Sequence, residues 1–126
     1  AVESAEWLSA DDITTAQIEQ GRITHDLDAA LAGYDAILTP TLGRRTIPLG
    51  WVDGTVEPFD TYLARNGELF PYSFLFNVTG WASLAVPMSS PGTRNPASVQ
   101  LSGPARSEHR LLALGEVISP GIRPPA

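Results

Sequence analysis

Cysteine and lysine are both missing from the 126 residues. Without cysteine there are no disulfides, thiolate metal sites or cysteine nucleophiles, and the redox compartment is left open. All eight basic residues are arginine, at positions 22, 44, 45, 65, 94, 106, 110 and 123. No lysine of this polypeptide can therefore act as a base, form a Schiff base or clamp a phosphate. Charge is also scarce, at 17% of residues with a net charge of -6. A nucleic-acid binder needs a surplus of positive charge, so this balance argues against one. No run approaches the roughly 20 apolar residues of a membrane span, and no basic-then-apolar leader opens the chain. The expectation is a soluble, cytoplasmic protein with no membrane partner. Methionine occurs once, as Met88, and the chain opens on Ala1. That pairing suggests a processed product, a recombinant excision or a fragment.

What is present is ample apolar material. Hydrophobic residues make up 43% of the chain, alongside 11 Gly and 11 Pro. A chain of this length is typical of one domain and buries roughly two-thirds of its unfolded surface on folding. Ser9 followed by Asp12 resembles a capping box. From Ile13 through Ala16, Ile23, Leu27, Ala30 and Leu31, apolar residues recur at helical spacing, which predicts an amphipathic helix over about 11–32, with Gly33 as its stop. Gly21 inside it costs about 1 kcal/mol against Ala.

Ala36 to Thr39 reads as a buried strand ending at Pro40. The Gly- and Pro-rich stretch 43–58 reads as a long irregular connection, of the kind that is often functional. A weak helical segment follows over 59–66. Tyr72 to Val78 is more helical than extended, Gly80 separates it from the next element, and a second buried strand runs over about 84–88. Residues 89–97 form a loop. Ser98 to Ser102 alternates as a strand over 98–102 with one buried face. Ser107 caps a closing helix over about 107–119, with Leu111, Leu114, Gly115 and Ile118 on one face, and the Pro-rich tail 120–126 is expected to be mobile. Alternating helices and strands give an α/β class. Three strands make a thin sheet for so much apolar surface, so the chain reads as part of a larger sheet.

The candidate chemistry is thin. His25 and His109 lack any paired metal spacing and read as solvent-facing helix residues. Asp11/Asp12 and Asp26/Asp28 suit capping and a solvated face better than an acid–base pair. Arg44-Arg45 reads as solvated loop charge. Ser83 lies in GWASLA, which is not a nucleophile elbow, and no His or Lys is placed to activate Ser89 or Ser90. Asn77-Val78-Thr79 matches a glycosylation acceptor, but its apolar surroundings suggest burial. No catalytic residue, metal ligand or cofactor site emerges.

Three blocks, in order, carry a resemblance: YDAILTPTL (34–42), NVTGWASLAVPM (77–88) and ASVQLSGPARSEHRLLALGEVI (97–118). Together they resemble the C-terminal portion of an amidase-signature hydrolase, from about residue 9 onward. Ala82 departs from a common Pro, and Ser89 from a common Gly. The resemblance implies an α/β fold, the C-terminal part of a mixed-sheet α/β/α architecture. It also implies hydrolysis of a carboxamide C–N bond by a Ser–cis-Ser–Lys triad. That triad needs a Lys and a Gly/Ser-rich stretch, and this chain has neither.

The implied partners are therefore an N-terminal part of the same amidase, carrying the catalytic Lys and Ser residues, and a small-molecule amide. No cofactor is implied. Thr41, Trp51, Phe74 and Asn77 are the expected neighbours of the substrate cleft, with ordinary packing or capping as the competing role for each. The alternatives are the amidase subunit of a tRNA-dependent amidotransferase, disfavoured by the 43–76 segment, and a stand-alone non-catalytic interaction domain.

Overall fold

The first helix shows how directly the sequence acts locally. In the computed structural model, which describes residues 7–44, 46–88 and 97–119, α1 spans Ala10–Ala30. Ser9 holds the extended backbone that a capping residue needs, its hydroxyl accepts from the Asp12 amide at 3.1 Å, and the Asp12 carboxylate accepts from the Ser9 amide at 2.8 Å. The helix continues unbroken through Gly21 and is capped at Leu31. Arg22 pairs with Glu19 at 2.5 Å and Asp26 at 2.8 Å, the i, i+3 and i, i+4 neighbours expected on a helix surface. None of its residues is buried. Residues 1–33 form one unit and residues 34–126 a second.

Among the described residues the second unit holds three strands, β1 (Ile37–Pro40), β2 (Ala82–Pro87) and β3 (Ser98–Gly103). Their order is β1-β3-β2, and both pairings are antiparallel. Two helices, α2 (Phe59–Leu69) and α3 (Ser73–Thr79), lie between β1 and β2 in the chain, and α4 (Glu108–Ile118) closes it. Gly80 has φ +69°, the left-handed conformation that ends α3 and turns the chain into β2.

Register sets the faces. Leu38, Leu101 and Leu84 are partners across the sheet, as are Pro40, Val99 and Val86. This face takes α4: Val86, Leu101 and Leu111 form the buried core, with Ala36, Ala82, Leu84, Val99, Leu114 and Ile118 packed around them. Gly115 permits the closest approach, because a Cβ there would lie 2.7 Å from Leu84 Cδ2. Leu38, on the far edge strand, stays 60% exposed.

Three expectations need correction. Residues 36–39 and 84–88 read as buried strands, yet β1 has no buried residue and β2 has only Val86, because each is an edge strand of the described sheet. The alternation of residues 98–102 predicts one buried face, yet Gln100, Leu101 and Ser102 are all buried. The reason is position: β3 is the central strand, so its polar residues are enclosed as well as its apolar ones. Ser107 does precede α4, but its side chain makes no capping hydrogen bond. Arg106 takes φ +69° and leaves Ser107 at ψ 9°, outside the extended conformation that aims a hydroxyl at the helix amides. The Ser107 hydroxyl is instead buried without a partner, where a Cβ at Gly103 would lie 2.7 Å away. The expected loop 89–97, apart from Ala97, and the expected tail 120–126 lie outside the described residues, as do Ser89, Ser90 and Arg45. Among the described residues no helix is long and apolar enough to cross a membrane.

Candidate functional site

The 41–58 segment is irregular but heavily tied. Thr41 continues the line of β1, its amide donating to the Ser98 carbonyl at 3.3 Å. Gly43 donates to the Leu69 carbonyl at 2.9 Å, and a Cβ there would lie 2.3 Å from the Glu68 carbonyl oxygen. Only glycine can bring the loop that close to the end of α2. Pro48 to Trp51 form a turn, closed at 3.1 Å, whose third residue, Gly50, has φ +77°. Asp53 then accepts from the Thr55 hydroxyl at 2.6 Å and its amide at 2.9 Å, which holds the Asp53 carboxyl below its ordinary value.

Trp51 is the centre of this segment. The Arg44 guanidinium lies 4.7 Å from its ring centroid and that of Arg65 lies 5.4 Å away. Arg65, on α2, also donates to the Trp51 carbonyl at 2.6 Å and to the Glu57 carboxylate. Arg44 pairs with Glu68 at 3.1 Å. Arg44 is thus a solvated loop charge, as its sequence setting suggests, and it is also paired with Glu68 and set against the indole.

The other candidates lie elsewhere in the unit. The Thr41 hydroxyl is buried and makes no hydrogen bond; the same is true of Thr39 two residues earlier. Phe74 and Asn77 are three apart on α3, on one exposed face. The acceptor-like triplet is not wholly buried as expected: Asn77 is exposed, and Thr79 is buried with its hydroxyl donating to the Leu75 carbonyl at 2.9 Å. Trp51 thus sits in the loop cluster, Thr41 at the end of β1, and Phe74 with Asn77 on α3.

A second polar feature escaped the sequence. On the sheet face opposite α4, Ser83 and Ser102 are register partners with hydroxyls 2.8 Å apart. Gln100 donates to Ser102 at 3.1 Å and accepts from Ser73 of α3 at 3.3 Å. Ser83 is thereby hydrogen-bonded within the sheet. Beside the outer edge of β2, Ala82, Ser83, Leu84, Glu108, Leu111 and Leu112 line a half-open groove of about 270 Å³. His25 and His109 are exposed. Among the described residues no cluster of His, Asp and Glu could hold a metal ion.

A family model described as Amidase matches residues 3–112. A 2-amino-5-chloromuconic acid deaminase of Comamonas testosteroni is 35% identical over 80 residues, covering 64% of this chain and 16% of that protein. A glutamyl-tRNA(Gln) amidotransferase subunit from Nitrobacter hamburgensis is 35% identical over 91 residues, covering 72% of this chain and 17% of that one. The crystal structure of the corresponding glutamyl-tRNA(Gln) amidotransferase subunit from Thermotoga maritima superimposes with a TM-score of 0.54 at 25% identity, over 85% of this chain and 20% of its own. The chain thus spans between a sixth and a fifth of the length of these relatives. The family match over most of the chain, together with these relatives, shows that the chain belongs to the amidase family.

Proposed function

We propose that this chain is the C-terminal part of an amidase whose catalytic residues lie on a preceding part of the same enzyme. The observation that carries this is a mismatch. The family match runs through residues 3–112, yet the chain spans 16–20% of its relatives' length and contains no lysine. Among the described residues no further strand pairs with the outer edges of β1 and β2; these edges, and the groove beside β2, support the same reading, since a larger sheet would join there.

The chemistry would be hydrolysis of a carboxamide. A neutral Lys takes the proton of a bridging Ser, which in turn activates the nucleophilic Ser, while backbone amides hold the oxyanion. This chain's contribution would be to complete the sheet and line the substrate cleft through Thr41, Trp51, Phe74 and Asn77. Alanine at each of these positions, made in the enzyme in its native assembly, is expected to lower kcat/KM for at least one amide in a panel of aliphatic and aryl amides. Unchanged kcat/KM for every amide would refute the cleft assignment.

A second reading is favoured by the names of several relatives, the amidase subunit of a glutamyl-tRNA(Gln) amidotransferase. Formation of Gln-tRNA(Gln) from Glu-tRNA(Gln) by the native assembly would select it. Hydrolysis of simple amides without any tRNA-dependent transfer would select the first.

A further inference from the structure

The proposed cleft role leaves open how an irregular segment as long as 41–58 is held in one shape, and α2 supplies the means. We propose that Arg65 is the positioning residue of this segment, acting through Trp51 and Glu57 to set which amides gain access to the cleft.

Arg65 lies on α2 and is part-buried, its side chain 29% exposed. Its guanidinium reaches three groups at once: the Trp51 carbonyl at 2.6 Å, the Trp51 ring at 5.4 Å and the Glu57 carboxylate. These anchor the segment at two points six residues apart in the chain, on either side of the Asp53–Thr55 turn. Arg44 grips the same indole from the N-terminal side, at 4.7 Å, and is itself tied to α2 through Glu68. Tyr62, one helical turn before Arg65, packs its ring 3.2 Å from where a Gly54 Cβ would stand.

Arg suits the arrangement. Both hydrogen bonds leave one guanidinium nitrogen, Nη1, while the rest of the plane lies near the indole. The ammonium of Lys has donors enough for the two oxygens but gives up the extended planar surface beside the ring, so Lys is expected to hold the segment only in part. The second carboxylate oxygen of Glu57 is buried and makes no hydrogen bond. Removing Arg65 would leave a part-buried carboxylate with no counter-ion, which acts against keeping Glu57 docked. Arg65 therefore holds the segment closed on α2, and its loss frees the segment without touching the sheet core.

The selection half of this proposal rests on the amidase reading, whereas the positioning half does not, so two readouts are needed. The first is amide hydrogen exchange on the native assembly of the wild type and of Arg65→Ala, Arg65→Lys and Glu57→Gln. Exchange over 46–57 is expected to accelerate about tenfold or more in Arg65→Ala, less in Arg65→Lys, with 98–118 unchanged. Unchanged exchange over 46–57 in Arg65→Ala would overturn the proposal. If Arg65→Ala loosens the whole chain, Arg65→Lys and Glu57→Gln decide: selective loosening of 46–57 supports it, and uniform loosening overturns it.

The second readout is kinetic. The ratio of KM for a bulky aryl amide to KM for a small aliphatic amide is expected to change about tenfold in Arg65→Ala, with kcat for the small amide preserved and partial recovery in Arg65→Lys. A loosened segment with an unchanged ratio would overturn the selection role. A wild-type assembly that hydrolyses no amide would refute the amidase reading and the selection role with it, while the exchange result would still decide the positioning role.

Discussion

The hydroxyl of Ser83 on β2 lies 2.8 Å from that of Ser102, its register partner on the central strand β3. Ser102 is fully buried and also accepts from the buried amide of Gln100. Ser83 lies on the edge strand and is exposed. Substituting the two should therefore differ in cost. Ser102→Ala leaves the Gln100 amide without that acceptor in an enclosed site and is expected to lose about 1–3 kcal/mol of stability. Ser83→Ala, where water can replace the lost partner, is expected to lose less than about 1 kcal/mol. Chemical denaturation of both variants checks this, and equal losses would contradict it.

Gly43 and Gly67 form a sharper pair. A Cβ at Gly43 would meet the Glu68 carbonyl oxygen at 2.3 Å and the Pro71 ring at 2.9 Å, whereas a Cβ at Gly67 meets nothing within 4 Å. Gly43→Ala must push backbone away from backbone and is expected to destabilise by about 1–3 kcal/mol. Gly67→Ala, inside α2, is expected to stabilise by about 0.5–1 kcal/mol through helix propensity. Thermal melts of the two variants should move in opposite directions.

Leu111 is 1% exposed and stands at the centre of the core with Val86 and Leu101. Leu111→Ala is expected to cost about 2–5 kcal/mol, a large part of the stability of a unit with so small a core. Val117, on the same helix, is 73% exposed, and Val117→Ala is expected to change stability by no more than about 0.5 kcal/mol. A loss at Val117 as large as that at Leu111 would mean that the sheet face under α4 has been misplaced.

The cap of α1 gives a pH prediction. The Ser9 hydroxyl and amide hold the Asp12 carboxyl below its ordinary value. A lowered folded-state value means that the cap contributes fully above the unfolded Asp pKa of about 4 and is lost as pH falls through the lower, folded value. Followed by the amide shifts of Ser9 and Asp12, the transition should have its midpoint below the ordinary Asp value and should vanish in Asp12→Asn. A midpoint at or above the ordinary value would contradict the capping box.

Local signals are legible where the chemistry is local. The start of α1 is written in Ser9 and Asp12, the end of α3 in Gly80, and the apolar face of α4 in Leu111, Leu114, Gly115 and Ile118. Ser107 shows the limit of such signals. Its residue type suits a cap, but the backbone at Arg106 and Ser107 does not. What escapes is set by long-range partners. Nothing in residues 98–102 says that β3 lies between β1 and β2, so the burial of Gln100 and Ser102 cannot be read from their alternation. Arg65 carries no motif, and its partners stand 8 and 14 residues away in an irregular segment. Trp51 stands out in the sequence, but the two guanidiniums that approach it do not.

On the proposed reading this chain needs a catalytic part. The most direct measurement is native mass and a denaturing gel on protein purified without denaturation, coupled to an amide-hydrolysis assay of the same material. This segment is expected with a further sequence bearing a Lys and a Gly/Ser-rich stretch, joined to it or accompanying it, and amide turnover is expected to track that assembly. Apart from it, the outer edges of β1 and β2, which no other described strand pairs with, should drive association. A single monodisperse, monomeric species of this chain alone, without amide turnover, would contradict dependence on a catalytic part and mark an independent interaction domain.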